Sequence, residues 1–417
     1  MGYVNRAIAK VLTKTVETRP LVYLNGPRQV GKSTLAHNVC NADNVNYISF
    51  DAPFALAQAK QDPAGFMSAL PEGKLNIIDE VQLVKEIFPY LKISIDESRL
   101  IGRGQGLYLL TGSANLLALP NLSRALVGRM ATITLLPFST AEYAQTGINF
   151  IEKLWTDKLG YRKYKDYDLL EYMQNATYPE LATYPQIDRK QWFDDYLSTI
   201  LQRDVQGVAE IRNPEKIVML LSILAMRVGS QLNNNSVITE TRLDNKTYDK
   251  YKASIINTFL AFELKAWAKP AHLNKRWTKA SKLFFNDVNL LCYLLRRDMR
   301  EIYINDRETF GHIFENFIAT EVMKNASALI GMSVSHMRTK AGKEVDLVLE
   351  NSNGEVLGIE VKLTKSVNDK DFTGLKELKV TSDNKFQGGI VVYTGNEIVP
   401  CGDKLWAIPA CYLWNEN

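Results

Sequence analysis

Short apolar runs alternate with helix-like patterns along residues 1–145. Four of the runs have the length and composition of buried β-strands, and each one ends in or next to Gly, Asp or Thr. They are LVYLN at 21–25, NYISF at 46–50, LNIID at 75–79 and LYLLT at 107–111. Strands that alternate with helices predict a parallel sheet with crossover helices.

The middle of the chain has mainly helical patterns. Residues 149–204 are rich in Tyr and charge, with helical periodicity at 192–205, and two further helix-like stretches occupy 215–229 and 248–264. A polar turn at Asp244–Lys246 precedes the last stretch, which predicts a small helix–turn–helix element.

A second α/β pattern follows Glu308. A helical pattern (HIFENFIATEVMKN) leads to a strand pattern at 344–350 (EVDLVLE), a turn at Asn353–Gly354 and a strand pattern at 355–363 (EVLGIEVKL), with GGIVVYTG further on. Strict alternation would place Asp346 on one face of its strand with Glu344 and Val348. This order predicts a helix packed on a hairpin and a further strand.

Length and charge set limits on these patterns. The 417 residues are enough for two or three domains, and the pattern shifts predict domains at 1–148, 149–300 and 301–417. There are 50 Lys and Arg residues against 46 Asp and Glu, a net charge of +4. This balance excludes a generally polycationic chain but allows local basic surfaces.

Cysteine usage and hydropathy indicate a cytoplasmic protein without a membrane partner. Cys40, Cys292, Cys401 and Cys411 form no CxxC pair, so neither a zinc site nor a disulfide framework is indicated. The N-terminal residues lack a signal-peptide core, and the longest apolar runs are too short to span a bilayer.

A phosphate-binding motif lies between the first strand and the first helix after it. Residues 26–33 fit G-x-x-x-x-G-K-[ST], in which glycines let backbone N–H groups surround phosphates at a helix N-terminus. Lys32 would neutralise the β- and γ-phosphates of ATP, and the Ser33 hydroxyl would bind Mg²⁺. The alternative is that the match to this motif is a chance turn containing Gly and Lys. The predicted nucleotide-binding residues are Gly26, Pro27, Arg28, Gln29, Val30, Gly31, Lys32, Ser33 and Thr34.

Polar residues end two later strands. Asp79 would hold the metal through water, and Glu80 would orient and polarise the attacking water, so Lys32 and Glu80 are the predicted catalytic residues of this site. Thr111 and Ser113 follow the next strand, where they would touch the γ-phosphate or water. The alternative for Ser113 is an ordinary helix N-cap.

The motifs resemble those of AAA-type ATPases of bacteria and archaea, relatives of the archaeal signal-transduction-type ATPases, which carry a C-terminal domain of unassigned function. The resemblance rests on GPRQVGKST, NIIDEVQ, LLTGSANLL and VGRMATITLLPFSTAEY, and continues through DDYLSTILQRDV, KLFFNDVNLLCYLL and GHIFENFIATEV. It implies that Thr111 and Ser113 belong to a sensor strand. Arg129 would sense phosphate or form a salt bridge that caps a strand, and Arg203-Asp204 matches an RD pair. A winged-helix middle domain is also implied.

Four residues near the C-terminus resemble the PD-(D/E)xK nuclease arrangement: Glu315, Asp346, Glu360 and Lys362. Asp346, Glu360 and the Val361 carbonyl would bind Mg²⁺ or Mn²⁺. Lys362 would orient the attacking water or neutralise the phosphate, and Glu315 would approach from the preceding helix. The alternatives are an exposed Glu360–Lys362 surface pair, or a nuclease-like fold that persists as a binding module.

A basic tract runs from Lys265 to Lys282 without an acidic residue. Basic side chains would contact phosphates and a tryptophan would stack on an unpaired base. The predicted nucleic-acid contacts are Lys269, Lys275, Arg276, Trp277, Lys279 and Lys282. The alternative is a solvated surface with tryptophans partly in the core.

Together these features predict an α/β protein with three parts: a P-loop parallel sheet with crossover helices, a helical and winged-helix middle, and a small α/β restriction-endonuclease-like end. The predicted function is an ATP-hydrolysing switch coupled to nucleic acid, DNA rather than RNA, with metal-dependent cleavage left open. The alternative is a nucleotide-dependent DNA-binding or signalling scaffold with an inactive nuclease-like domain. The oligomeric state stays open.

Overall fold

The computed structural model describes residues 2–39, 44–113, 126–156, 158–202, 214–269 and 279–415, which form three sheets and the helices around them. Several predicted residues lie outside these ranges: Arg203, Asp204, Lys275, Arg276 and Trp277. Within the described ranges, no helix has the length and apolar character that crossing a bilayer requires.

The N-terminal sheet has five parallel strands in the order β2-β3-β4-β1-β5. The strands are β1 (Leu21–Asn25), β2 (Val45–Ser49), β3 (Leu75–Asp79), β4 (Tyr108–Gly112) and β5 (Met130–Thr134). The four strands predicted from apolar runs are confirmed to within one residue. The helices around them are α1 (Ala9–Thr18), α2 (Lys32–Val39), α3 (Pro53–Gln61), α4 (Pro63–Ser68) and α5 (Phe88–Leu100).

Strand β1 lies inside this sheet and is buried on both faces. Leu21 and Tyr23 pack into one hydrophobic cluster, and Val22 and Leu24 pack into another on the opposite face. This double burial explains why the strand reads as a continuous apolar run. Each fully buried aliphatic side chain contributes about 1.5–3 kcal/mol, so core packing on both faces stabilises the strand that leads into the phosphate-binding motif.

The described part of the middle region contains short helices, the two-residue strand β6 (Arg162–Lys163) and an antiparallel hairpin. Its helices are α6 (Thr140–Tyr143), α7 (Phe150–Thr156), α8 (Leu169–Asn175), α9 (Pro179–Thr183), α10 (Arg189–Ile200), α11 (Pro214–Ala225), α12 (Asn234–Thr241), α13 (Asn245–Asn257), α14 (Val288–Leu294) and α15 (Met299–Asn305). The antiparallel hairpin pairs β7 (Ala261–Leu264) with β8 (Lys282–Phe285). The helix predicted over 248–264 therefore ends early, because its last residues form β7.

Helices α12 and α13 form a helix–turn–helix. Arg242 ends α12 in the left-handed conformation with φ 50°, and the Asp244 side chain caps α13 by accepting a hydrogen bond from Thr247 N–H at 2.9 Å. The predicted element is thus present, with its turn two residues earlier than the polar run suggests. The polar residues before Tyr248 are helical at Asn234–Thr241 and again from Asn245.

The C-terminal sheet has seven strands in the order β6-β13-β14-β12-β11-β10-β9. They are β6 (Arg162–Lys163), β9 (Ser333–Arg338), β10 (Glu344–Glu350), β11 (Val356–Lys362), β12 (Phe386–Tyr393), β13 (Glu397–Gly402) and β14 (Leu405–Pro409). Helix α16 (Arg307–Ala326) packs beside β8, β9 and β11, and α17 (Thr373–Ser382) packs on β10, β11 and β12. The predicted helix, hairpin and strand are all present.

The middle region and the C-terminal sheet share one hydrophobic core, which includes residues from Ala141 to Trp414. The indole ring of Trp414 stacks on Tyr172 with a centroid distance of 4.3 Å. Strand β6 belongs to the middle region in sequence but pairs with β13. The boundary at residue 300 stays a prediction, and packing is continuous across it.

Candidate nucleotide site and carboxylate cluster

The phosphate-binding loop connects β1 to α2 with its glycines in positive-φ conformations. Gly26 has φ +145° and Gly31 has φ +91°. A Cβ atom on Gly26 would lie 2.1 Å from the carbonyl oxygen of Leu135, so only glycine fits there. The Lys32 ammonium donates to the carbonyl oxygens of Gly26 at 3.1 Å and Pro27 at 2.7 Å. The lysine amine is thereby held over the loop.

Asp79 is the hub of the hydrogen bonds beside this loop. Its carboxylate accepts hydrogen bonds from Ser33 Oγ at 3.0 Å, from Tyr47 Oη at 2.8 Å and from the Thr111 hydroxyl. The predicted meeting of Ser33, Asp79 and Thr111 is therefore present. Tyr47 is an additional member that the sequence did not single out. Burial, followed by its bond to Asp79, raises the pKa of Tyr47, so it stays a donor.

Glu80 lies beside Asp79 in a left-handed conformation with φ 57°. Its backbone N–H donates to Thr111 Oγ1 at 3.3 Å, and its carboxylate accepts from the Gln82 side chain. Gln82 also donates to Ser113 Oγ at 3.2 Å. Burial raises the pKa of Glu80, and the charge of Lys32 opposes that rise. Gln82, which sequence reasoning missed, thus links Glu80 to the predicted sensor residue Ser113.

A cavity of about 710 Å³ opens between the phosphate-binding loop and helices α9 and α10. The loop side is formed by Arg28, Gln29, Gly31, Lys32, Ser33, Thr34 and Glu80, and the helical side by Pro179, Glu180, Trp192, Asp195, Tyr196 and Thr199. Trp192 donates its indole N–H to Glu180 at 2.9 Å and stacks on Tyr196 at 4.9 Å. Helices α9 and α10 therefore cover the loop as a lid.

The residues around this cavity fit a nucleoside triphosphate with Mg²⁺. The cavity volume lies within the range of small-molecule sites. The Ser33 hydroxyl and the Asp79 carboxylate, 3.0 Å apart, are the hard oxygen donors that Mg²⁺ prefers. The predicted residues Pro27 and Val30 are buried, so they contribute backbone groups rather than side chains.

Arg129 is not at this site in its own chain. It precedes β5, whose first residue pairs with Leu21 at the amino edge of the parallel sheet, whereas Gly26 follows the carboxyl edge. Its guanidinium binds both carboxylate oxygens of Asp96, at 2.7 and 2.9 Å. The predicted phosphate-sensing contact within the chain is therefore wrong, and the alternative of a salt bridge is confirmed.

A buried polar seam joins the phosphate-binding loop to the segment that follows β5. The Arg6 guanidinium donates to the carbonyl oxygens of Val30 at 3.0 Å and Leu136, and to Glu142 Oε1 at 3.1 Å. Glu142 and Ser139 form a capping box at the start of α6. The N-terminal segment thus ties the phosphate-binding loop, through Val30, to the segment that follows β5.

The seam continues into helix α16. Glu321 is fully buried and accepts hydrogen bonds from the Thr140 backbone at 2.9 Å and hydroxyl at 2.7 Å. The Lys324 ammonium donates to Glu321 Oε1 at 3.0 Å and to the carbonyl oxygen of Phe138 at 2.8 Å. A buried ion pair on α16 therefore holds the P-loop domain against the rest of the molecule.

Three carboxylates of the C-terminal part surround Lys282. The Lys282 Nζ atom lies 2.9 Å from Glu315, 3.1 Å from Glu344 and 3.0 Å from Asp346. We call these four residues the carboxylate cluster. Lys282 is 2% exposed and enters the cluster from β8. It was predicted as a surface contact for nucleic acid, and that prediction is wrong because the ammonium group is buried among acids.

Glu360 and Lys362 lie beside the carboxylate cluster as a pair of their own, 2.7 Å apart. The Asp346 carboxylate accepts a hydrogen bond from Val361 N–H at 3.0 Å, which ties it to β11. The four residues of the nuclease-like pattern are therefore brought together. The expected alternation, with Val348 on the same face as Asp346, is not found. A bulge between Val345 and Val348 places these two valines in the same hydrophobic cluster, on one face of the strand.

Burial dominates the protonation of this region. It raises the pKa of Glu315 and of Glu360 to about 8, and the nearby charge of Asp346 adds to both shifts. Burial would also raise the pKa of Asp346, but Lys282 and the Val361 N–H bond lower it. Burial opposes the charge of Lys282, yet Asp346 and Glu315 keep its pKa raised.

A divalent cation does not fit the carboxylate cluster as it stands. The Lys282 ammonium occupies the point from which the three carboxylates would coordinate a metal. Among the described residues, no group of three His, Cys, Asp or Glu side chains is arranged to hold a metal ion. The Mg²⁺ or Mn²⁺ site predicted at Asp346 and Glu360 is therefore not formed in this arrangement.

The basic tract contributes fewer surface groups than predicted. Lys269 and Lys279 are exposed, and Lys279 donates to the carbonyl oxygen of Arg338 at 2.8 Å. Trp267 is buried in the core of the C-terminal sheet and does not offer a stacking surface. Of the predicted contacts that lie in the described part of this tract, Lys269 and Lys279 are the exposed ones, so they can reach a phosphate backbone.

Three stretches of the chain match known domain families. Residues 18–144 match an AAA domain. Residues 166–301 match a domain of unknown function (DUF8612), and residues 310–413 match another (DUF4143). The first match supports an AAA-type ATPase domain built on the P-loop sheet, while the other two assign no activity.

Two uncharacterized proteins are similar to the chain over most of its length. One from Mycobacterium tuberculosis is 25% identical over 409 residues, covering 97% of this chain and 83% of that protein. One from Methanocaldococcus jannaschii is 20% identical over 430 residues, covering 97% and 91% respectively. The similarity thus includes the P-loop domain, the middle region and the C-terminal sheet.

Solved structures of P-loop proteins show weaker likeness. The Walker-type ATPase of Pyrococcus abyssi has 15% identity and a TM-score of 0.40, covering 69% of this chain and 94% of that one. A RuvB variant from Thermotoga maritima has 18% identity and a TM-score of 0.30, covering 62% and 89%. Neither likeness extends to an activity.

Proposed function

We propose that the protein binds and hydrolyses ATP, and that the nucleotide controls a nucleic-acid-binding surface on the middle region. The meeting of Ser33, Asp79 and Glu80 beside the phosphate-binding loop carries the first part. The match of residues 18–144 to an AAA domain supports it. The second part rests on the lid and on the helix–turn–helix described above.

Each group at the nucleotide site has a role that follows from its position. Lys32 would donate to the β- and γ-phosphates, and Ser33 with Asp79 would hold Mg²⁺, which offsets phosphate charge. Glu80 would accept a proton from the attacking water, and burial raises its pKa above the usual carboxyl range, which makes the carboxylate a stronger base. Gln82 and Thr111 hold Glu80 in its strained conformation.

Phosphate release from ATP tests the first part. We expect Lys32→Ala to lose nucleotide binding, and Glu80→Gln to keep binding while turnover falls by at least about a hundredfold. Lys60→Ala, on an exposed position of α3, is the matched control and should leave turnover unchanged. Equal turnover in wild type and Glu80→Gln would contradict the assigned role.

The order of elements in the middle region supports nucleic-acid binding. A helix, a helix–turn–helix and an antiparallel hairpin follow one another, which is the order found in winged-helix domains. Lys246 is exposed on α13, and Lys269 and Lys279 are exposed in the segments that follow β7 and precede β8. These cations would contact phosphates on two sides of a duplex.

Fluorescence anisotropy with labelled DNA and RNA duplexes tests this surface. Lys246→Glu and Lys279→Glu should each weaken binding and lower the salt-dependence slope by about one. Adding ATP to the Glu80→Gln variant should change the affinity for nucleic acid. An affinity for nucleic acid that is unchanged by Lys246→Glu, by Lys279→Glu and by ATP would overturn the switch proposal. Lys60→Glu is the control for the added negative charge and should leave the affinity unchanged.

A nuclease-like binding module that does not cleave is the second candidate, because Glu315, Asp346, Glu360 and Lys362 converge while Lys282 occupies the centre of the carboxylate cluster. Plasmid incubated with Mg²⁺ or Mn²⁺ should stay uncut by the wild type and by Asp346→Ala, and cutting by the wild type alone would contradict this candidate. Equal cutting by both proteins would mean contamination. Absence of cutting, with salt-sensitive binding retained, would favour a non-cleaving binding module.

A further inference from the structure

Lys282 pairs with three acids inside the carboxylate cluster, and its ammonium donates hydrogen bonds to two of them, Glu315 and Asp346. An ammonium group has three N–H donors. Its nitrogen lies 2.9–3.1 Å from one oxygen each of Glu315, Glu344 and Asp346. The three acids come from two elements, α16 and β10, which are joined here by a single positive charge from β8.

The lysine is held in place by its strand. Phe285 N–H donates to Asn316 Oδ1 at 2.8 Å, and Asn316 Nδ2 donates back to the Phe285 carbonyl at 3.0 Å. Asn316 is the neighbour of Glu315 on α16, so β8 is attached to the same turn that supplies a carboxylate. The backbone of β8 is therefore fixed against α16 close to Glu315.

Gly229 limits the space around the Glu315 carboxylate. A Cβ atom on Gly229 would lie 2.8 Å from Glu315 Oε2, so this glycine leaves just enough room for the carboxylate. Asp346 is confined by its bond to Val361 N–H. The acids that face Lys282 thus have little freedom to turn toward another ion.

A divalent cation and Lys282 have incompatible requirements. Mg²⁺ needs oxygens at about 2.0–2.1 Å, and other hard cations at up to about 2.6 Å, around a point free of positive charge. In this structure the ammonium nitrogen is the nearest cation to all three oxygens. Binding both would put two positive charges within a few ångströms in a buried site.

We propose that Lys282 excludes divalent cations from the carboxylate cluster, so that in the intact protein the cluster is an ion-paired joint between the hairpin and the C-terminal sheet and not a metal site. The joint transmits the position of β8 to α16 and β10 without a cofactor. Removing the ammonium group while keeping the side-chain length turns the cluster into a divalent-cation site.

Mn²⁺ binding to the full-length protein without nucleotide tests the proposal, because this readout does not depend on ATP hydrolysis. Free Mn²⁺ is measured by electron paramagnetic resonance for wild type, Lys282→Met and the double variant Lys282→Met/Asp346→Asn. We expect Lys282→Met to gain one site at least tenfold tighter than any in wild type, and the double variant to lose it.

Matched variants separate charge from packing. Lys252→Met removes a lysine that pairs with Glu263 at 2.6 Å near the same hairpin, and it should gain no site. Lys282→Arg keeps a positive charge and should also gain none. The single variant Asp346→Asn, with Lys282 retained, should bind Mn²⁺ as the wild type does.

Two results would overturn the proposal. One is a Mn²⁺ site in the wild-type protein that Asp346→Asn abolishes. This measurement tests the proposal even if Lys282→Met fails to fold. The other is a folded Lys282→Met protein, shown by its circular dichroism spectrum, with no new Mn²⁺ site. Loss of ATP turnover in Lys32→Ala bears on the nucleotide site alone and leaves this proposal untouched.

Discussion

Replacing Lys324 by methionine should weaken the joint between the P-loop domain and helix α16. Lys324 is 5% exposed and is paired with Glu321, which is fully buried. The substitution leaves the Glu321 carboxylate inside the protein without its counter-charge, and it removes a donor from the carbonyl oxygen of Phe138. Both effects act in the same direction.

The size of the loss follows from the burial of the pair. Breaking a buried ion pair by removing one partner costs about 3–5 kcal/mol, because the remaining charge has no compensation. The two hydrogen bonds from Thr140 still stabilise the Glu321 carboxylate, which places the expected loss near the lower end, about 3 kcal/mol.

Urea unfolding followed by tryptophan fluorescence measures this loss. The double variant Glu321→Gln/Lys324→Met carries no buried charge, so it should recover at least half of the stability that Lys324→Met loses. Lys343→Met is the control, since Lys343 and Glu377 form an exposed pair worth at most about 1 kcal/mol. A Lys324→Met protein within 1 kcal/mol of wild type, or a double variant less stable than either single one, would refute the reasoning.

Three further outcomes can be measured. Gly26→Ala should abolish binding of a fluorescent ATP analogue, because its Cβ would lie 2.1 Å from the Leu135 carbonyl oxygen; Gly160→Ala, where the space is open, should not. Tyr47→Phe should lower ATP turnover about tenfold by removing one donor from Asp79, the carboxylate proposed to hold Mg²⁺, and full activity would argue against a role for that contact. Burial lowers the pKa of His336 to about 4, so stability present above pH 6.5 should fall by about 3 kcal/mol as the pH drops to 4, and this slope should be absent from urea titrations of His336→Phe.

Local motifs account for what the sequence predicts well. The phosphate-binding loop, Asp79 and Glu80 are each defined by a few consecutive residues next to a strand, and parallel strands bring their carboxyl ends to one edge. Tyr47 escapes such reasoning because a single polar group in an apolar strand does not show which neighbour it faces. The prediction that Arg129 senses phosphate fails because its motif does not show at which edge of the sheet the residue lies. It lies at the amino edge, whereas the phosphate-binding loop follows the carboxyl edge.

The carboxylate cluster illustrates the limit for distant pairs. Lys282 is 33 positions from Glu315 and 64 positions from Asp346 in the chain, and no periodicity links them. In the sequence it is the last member of a basic run, which favours a surface role. The signal that points inward is the apolar LFF that follows it, because a lysine that opens a buried strand needs partners.

The stacking of Trp414 on Tyr172 has a consequence for how the protein is made. Tyr172 leaves the ribosome long before Trp414, and until then one face of its ring has no partner. The same holds for β6, whose strand partner β13 is synthesised much later. The P-loop sheet can form early from its own residues, whereas the middle region needs the C-terminal strands to complete its core. A truncated translation product would therefore have a folded nucleotide domain and a middle region with exposed apolar side chains. Chaperones and proteases bind such exposed apolar segments.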